Sequence, residues 1–295
     1  MDIGSNTVHV LVADAEEGRL EDVAHYVEMP ELAKTVQRTG RIGARKRRSV
    51  LTALERVLAK AREHGFEHLV GGATEAVRRA EDRDELLAEA EQTAGIPIRL
   101  ISPKREAELS FRGVASRHAG RHGWVMCDLG GASTELVAAD EERIERWASL
   151  DLGSGSFAAR YLSDPPKASE REQLRRAALR SLDEAPECDA EKLVATGGTA
   201  SNLPVVLSRR RPPSLLTSTA LLAAEERLDL QPASRLARSL GLPAARVRTL
   251  RGGVEILLLL LDFYGLDTVH VSHEGLRHGM LLEYLARGED WYQDA

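Results

Sequence analysis

Asp128-Leu129-Gly130-Gly131-Ala132-Ser133-Thr134-Glu135 joins the end of one apolar run, Trp124 to Asp128, to the start of another, Thr134 to Ala138. An aspartate closes the first strand, and glycines with a small hydroxyl residue make the turn. The same plan opens the chain: Asp2-Ile3-Gly4-Ser5-Asn6-Thr7 precedes the β-rich run Val8 to Ala13 (VHVLVA). Two strand–Asp–Gly–hydroxyl hairpins about 125 residues apart predict a duplicated fold. A third glycine–hydroxyl turn, Thr196-Gly197-Gly198-Thr199, lies between a strand and a helix.

Outward from these turns, strand and helix patterns alternate. Glu21 to Val27 is expected to return beside Val8 to Ala13 through the turn Glu16-Glu17-Gly18. Apolar Val50, Leu51, Leu54, Val57, Leu58 and Ala61 recur at helical spacing, so Lys46 to Glu63 reads as an amphipathic helix. His68 to Gly71 and Ile96 to Ile101 read as strands, Arg83 to Thr93 and Glu106 to Ser116 as helices. Such interleaving is the signature of an α/β domain. After Leu152-Gly153-Ser154-Gly155 helical patterns dominate: Ser169 to Asp183, Thr217 to Arg227, Ala233 to Leu240 and Arg251 to Phe263. Two short strands are expected among them, Lys192 to Ala195 and Thr268 to Ser272. The domain boundary is therefore expected near Asp151, giving domains 1–150 and 151–295.

Composition narrows the class. At 295 residues the chain is at the size where single cores stop growing, which favours two domains. The longest apolar run, Ile256 to Leu261, is far short of the ~20 residues of a membrane span. No secretory leader pattern is visible, so a cytoplasmic protein is expected. Cys127 and Cys188 lack the spacing of a disulfide framework or a metal site, and Cys127 is expected in the core. The net charge of −6 argues against nucleic acid as a partner.

Glycine turns let backbone N–H groups converge on one bound group, and hydroxyls add donors, which suits phosphate oxygens. An aspartate beside phosphate is repelled unless a hard cation such as Mg²⁺ stands between them. The paired turns thus read as a clamp on phosphate and metal. The residues leave plainer readings open: Glu106 as a solvated helix residue, Glu135 as a surface strand residue, Arg78 as a local partner of Glu75.

Six segments in order, DIGSNT at 2–7, ATEAVRRA at 73–80, ISPKREAELSFRGV at 101–114, CDLGGASTELV at 127–137, VATGGTASNL at 194–203 and VSHEGLRHGMLLEYL at 271–285, resemble the exopolyphosphatase / guanosine pentaphosphate phosphohydrolase family. The resemblance spans the whole chain and is to the short, two-domain members. It implies a duplicated actin-like ATPase (ribonuclease H-like) α/β fold, two domains flanking a cleft, the second helix-rich. By motif, it assigns Glu106 to orienting the attacking water. Asp128 and Glu135 take metal binding and catalysis, and Asp2 takes metal contact through water. Ser5, Asn6, Thr7, Arg78, Gly130, Gly131, Ala132 and Ser133 would hold substrate phosphates, joined by Gly197, Gly198 and Thr199 of the third turn. Mg²⁺ is the expected cofactor and a homodimer the expected assembly.

The chain departs from the family pattern in places. Met1 stands directly before Asp2, so the first strand is expected to be clipped or to continue upstream. Arg105 replaces the first glutamate of a Glu-Glu pair, Ala132 replaces a glycine, and Arg248 and His273 stand where acids are frequent. The expected activity is Mg²⁺-dependent release of terminal orthophosphate from inorganic polyphosphate. The alternatives are pppGpp 5′-phosphohydrolysis and non-catalytic binding of (p)ppGpp or polyphosphate. Lys34, Arg38, Arg41, Arg45, Lys46, Arg47 and Arg48 form a run without an acid. Its last four crowd an expected helix start, where the macrodipole disfavours cations, so the run reads as a polyphosphate patch or a solvated loop.

Overall fold

The computed structural model describes residues 1–118 and 123–294. The chain starts with β1 (Asp2–Ile3), β2 (Val8–Glu16), β3 (Arg19–Glu28), α1 (Leu32–Thr39), α2 (Gly43–Arg62), β4 (Gly71–Ala73), α3 (Glu75–Arg79), α4 (Arg83–Ala94), β5 (Ile98–Leu100) and α5 (Pro103–His118). It continues with β6 (Trp124–Leu129), β7 (Thr134–Asp140), β8 (Arg143–Leu150), α6 (Ser154–Tyr161), α7 (Ala168–Ser181), β9 (Lys192–Thr196), α8 (Gly197–Leu207) and β10 (Leu215–Thr217). Then come α9 (Ser218–Asp229), α10 (Ala233–Leu240), α11 (Ala244–Tyr264), β11 (Thr268–Val271) and α12 (Leu276–Arg287).

Two compact units result: 1–113 with 276–295, and 114–275. This departs from the boundary expected near Asp151. Residues 124–150 belong to the second unit because β6 pairs in parallel with β9, Asp128 opposite Thr196. The composition shift after residue 150 marks a change from hairpin to helices inside one unit, and that unit carries a six-stranded sheet rather than two short strands.

The duplication is visible in the ladders. The first sheet runs β3-β2-β1-β4-β5, and the second runs β8-β7-β6-β9-β11 with β10 added at its edge. In both, the central strand pairs antiparallel with the next and parallel with the fourth. Asp2 opposes His9 and Ile3 opposes Val8, just as Asp128 opposes Glu135 and Leu129 opposes Thr134. Each turn is closed by the same bond, Gly4 N–H to the Thr7 carbonyl at 2.9 Å and Gly130 N–H to the Ser133 carbonyl at 3.1 Å. The arrangement is the actin-like, ribonuclease H-like one expected, present once in each unit.

Each sheet is buried by helices whose apolar spacing shows why they form. Val50, Leu54, Val57, Leu58 and Ala61 of α2 are buried, against β2, β3 and α4. In the second unit α11 is buried almost all round from Val247 to Leu261, with Arg251 and Glu255 buried among its apolar residues beside charged partners. It packs on α6, α7, α8, α9 and α10. Cys127 is fully buried, as expected.

Candidate active site

In the first unit the Ser5-Asn6-Thr7 turn is held from outside by the segment entering α1: Glu31 N–H donates to the Asn6 carbonyl at 3.0 Å and Ala33 N–H to the Ser5 carbonyl at 2.7 Å. Ser5 is buried, Asn6 and Thr7 half-buried. Asp2 is buried, and its Oδ1 receives a hydrogen bond from Arg277 of α12 at 2.7 Å. A carboxylate so paired has its charge already compensated, which weakens its expected role at a metal. No local pattern announces this pairing, because the partner lies 275 residues away.

Arg78, on the short helix α3, gathers the other acids of this unit. One guanidinium nitrogen donates to Glu106 Oε2 at 2.6 Å and to the Ile101 carbonyl at 2.7 Å; the other donates to Glu75 Oε2 at 2.6 Å. Burial alone would lower the Arg78 pKa, but Glu106 and Glu75 outweigh it and the net shift is upward. Glu106 is only 7% exposed, on the first turn of α5, so the solvated-helix reading is overturned. The local-pair reading of Arg78 holds in part: it meets Glu75 and also Glu106. Glu75 also meets Arg79, so the two glutamates and two arginines of this cluster balance in charge, and Glu106 remains an acceptor that can hydrogen-bond a water.

Arg105, where the family pattern has a glutamate, turns the other way. It is 3% exposed, with its Nε 3.1 Å from the Trp291 carbonyl and its other nitrogens on Glu108 at 3.0 Å and Glu283 at 2.9 Å. It ties α5 to α12 and the residues beyond it.

In the second unit the register sets Asp128 and Glu135 directly opposite each other on β6 and β7. Cross-strand partners lie about 5 Å apart, and like charges there destabilise a sheet. Glu135 is 1% exposed, and Ser149 Oγ donates to its Oε1 at 2.8 Å. Burial, then Asp128 and Glu135, push the neighbouring Cys127 thiol well above its usual pKa. Among the described residues no group of three or more His, Cys, Asp or Glu side chains is assembled for a metal. A two-carboxylate set nevertheless fits Mg²⁺, which is commonly held by one or two carboxylates together with substrate phosphate and water. Asp128 and Glu135 fit such an ion; Asp2, engaged by Arg277, does not.

The turn between them is clamped from behind. At the start of α6, Ser154 N–H donates to the Gly130 carbonyl at 3.0 Å, and Gly155 and Ser156 N–H to the Gly131 carbonyl at 3.0 and 2.9 Å. Gly153 lets this happen, because a Cβ there would overlap the Ala132 backbone. Ala132 is tolerated in a glycine's place: among the described residues, positive φ outside glycine is confined to Glu17, Glu31 and Glu141. Ala132 and Ser133 are both buried. Gly197, at φ +90°, brings the start of α8 against Asp128, where a Cβ would stand 2.9 Å from Asp128 Oδ1. Thr199 is packed inward: it is 1% exposed, its Oγ1 is buried without a hydrogen-bond partner among the described residues, and Gly253 of α11 leaves room for it.

Arg246 was not singled out from the sequence, and it completes this turn. It is 8% exposed, and any side chain at Gly198 would collide with its guanidinium. Its guanidinium forms no ion pair or hydrogen bond among the described residues, and burial lowers its pKa. A buried cation without a counter-charge is costly, whereas an anion at the Gly197-Gly198 turn would compensate it. Arg246→Ala is expected to raise the KM for a phosphate-chain substrate by roughly 10- to 150-fold, the worth of one charged hydrogen bond. Steady-state kinetics checks this, and an unchanged KM contradicts it. Among 34 arginines, nothing local marks it out, since Arg248 and Arg251 follow on the same helix.

Comparison with known proteins gives the family and the fold. A family model, the Ppx/GppA phosphatase family, matches residues 11–288. A curated relative, the guanosine-5'-triphosphate,3'-diphosphate pyrophosphatase of Vibrio vulnificus, is 22% identical over 291 residues, 97% of this chain and 59% of its own length. The chain thus spans 59% of the length of that relative. Among solved structures, an exopolyphosphatase from Cytophaga hutchinsonii superposes with a TM-score of 0.87 at 21% identity, covering 97% of this chain and 96% of that one. The Ppx/GppA enzyme of Aquifex aeolicus gives 0.78 at 24% identity, covering 95% and 97%. These likenesses establish the fold.

Proposed function

The chain belongs to the Ppx/GppA phosphatase family, and we propose that it hydrolyses the terminal phosphoanhydride of inorganic polyphosphate, releasing orthophosphate. The observation that carries this reading is the Asp128–Glu135 pair, two acids opposed across a ladder immediately before a glycine turn. Asp128 and Glu135 would hold a divalent ion, which would supply charge neutralisation on the phosphate chain. Arg78 and Arg246 bind phosphate oxygens, and the Ser5-Asn6-Thr7 and Gly130 to Ser133 turns supply N–H and hydroxyl donors. Glu106 orients a water and accepts its proton as the water oxygen bonds to the terminal phosphorus. The bridging P–O bond breaks, and the shortened chain departs with the bond's electrons. Phosphoryl transfer of this kind rests on positioning and charge stabilisation more than on covalent chemistry.

A second reading, hydrolysis of pppGpp to ppGpp, is favoured by the Vibrio relative, a guanosine-5'-triphosphate,3'-diphosphate pyrophosphatase. The same residues serve both, since the reacting bond is the same. Orthophosphate release from polyphosphate of defined lengths and from pppGpp, compared as kcat/KM, separates them. A larger value for polyphosphate is expected; a larger value for pppGpp replaces this reading with the second. Binding of either without release replaces both with a non-catalytic reader.

A further inference from the structure

Five cations of the acid-free basic run at 34–48, those from Arg41 onward, divide into two groups. Arg41, Lys46 and Arg47 are used within the unit: Arg41 meets Glu81 at 3.2 Å, Lys46 Nζ donates to the Pro30 carbonyl at 2.6 Å, and Arg47 meets Glu85 and Glu89 at 2.5 and 2.9 Å. Arg45 and Arg48 are exposed and have no ion pair among the described residues. They stand in the first two turns of α2, where the helix dipole opposes positive charge, so helix stability does not account for them. With Ser49, Thr52 and Arg56 they recur at positions i, i+3, i+4, i+7 and i+11, which is one face of a helix. That face borders an open groove of about 460 Å³. One acid, Glu28, lines the groove, and Arg56 stands 4.0 Å from it.

Pro30 lies in the wall of this groove, and the next residue, Glu31, donates its N–H to the Asn6 carbonyl. The groove therefore approaches, within one unit, the segment that supports the Ser5-Asn6-Thr7 turn. We propose that the Arg45–Arg48–Arg56 face of α2 is an accessory site for the body of a polyphosphate chain. This rests on the reading above that polyphosphate is the substrate class. Three guanidiniums spread over eleven residues of helix span roughly 16 Å, too long for a triphosphate and suited to a repeating polyanion. Arginine forks match phosphate oxygens, and the two hydroxyls add donors. No aromatic ring lines the groove, so the base stacking that holds single-stranded nucleic acid is missing.

The test is binding without turnover. The full chain, stripped of divalent ions, is titrated into labelled polyphosphate of about one hundred phosphates, tripolyphosphate, and single-stranded RNA of matched length. The triple variant Arg45→Ala/Arg48→Ala/Arg56→Ala and the charge-keeping Arg45→Lys/Arg48→Lys/Arg56→Lys are compared with the parent, with thermal unfolding as the check on folding. The alanine variant is expected to bind the long chain about tenfold or more weakly, with its salt slope reduced by about two. Tripolyphosphate affinity changes less than about twofold, the lysine variant retains most long-chain affinity, and RNA binds at least about tenfold more weakly than polyphosphate. Equal losses for long and short chains, or no loss, overturn the proposal. RNA binding as tight as polyphosphate, with the same arginine dependence, overturns the choice of ligand. Length-dependent binding in a protein that releases no orthophosphate upholds the accessory site while removing the hydrolytic reading.

Discussion

Glu106→Gln is expected to lower kcat for terminal phosphate release by about 10²–10⁴-fold, the usual worth of a positioned general base. KM is expected to change less than about threefold, because the reading gives Glu106 contact with water and Arg78 rather than with substrate. Glutamine keeps the side chain's length and an oxygen that accepts from Arg78, so the 2.6 Å bond has a successor. Stripping one partner from a buried ion pair destabilises by about 3–5 kcal/mol when a charge is left uncompensated. Here Glu75 remains on the same guanidinium at 2.6 Å, so the variant is expected to fold. Steady-state kinetics beside a thermal unfolding curve checks both halves. A folded variant with the parent's kcat removes Glu106 from the chemistry.

Glu135→Gln acts on the other half of the reaction. The neutral side chain relieves the like-charge opposition with Asp128, so stability is expected to hold or rise. The concentration of divalent ion giving half-maximal activity is expected to rise by at least about 10–100-fold, since removing even an outer-shell partner of a metal costs that much. A titration of activity against Mg²⁺ measures it. An unshifted midpoint with lower kcat would place Glu135 in positioning and leave the ion elsewhere. That opposite response, a stabilised and less active protein, is what separates a functional carboxylate from a structural one here.

The duplicated hairpins were legible because their information is local. A strand, an aspartate, a glycine turn and a hydroxyl occupy consecutive residues, and the structure repeats even the closing bond, Gly4 to Thr7 and Gly130 to Ser133. The domain boundary was misread for a related reason. Had the echo at 128–135 been taken as the first hairpin of the second copy, the division would have fallen before Trp124, close to the observed change at Gly113 and Val114. Helical composition after residue 150 pulled it downstream. The role of Glu106 came from family motifs; its charged neighbours Lys104, Arg105 and Glu108 read locally as a solvated helix face. What reverses that is tertiary: Arg78 beneath it, and Arg105 drawn to Trp291 and Glu283. Arg277 on Asp2 and Arg246 at Gly198 escaped for the same reason, since each meets its turn only after the chain has folded back. No periodicity encodes a contact of that range.

Orthophosphate release from polyphosphate by the wild-type chain, stripped of metal and then resupplied with a divalent ion, is the most direct measurement. The account predicts none without the ion, and with it one orthophosphate for each phosphate lost from the chain end. Release at full rate in chelator, or cleavage into long internal fragments, would contradict it.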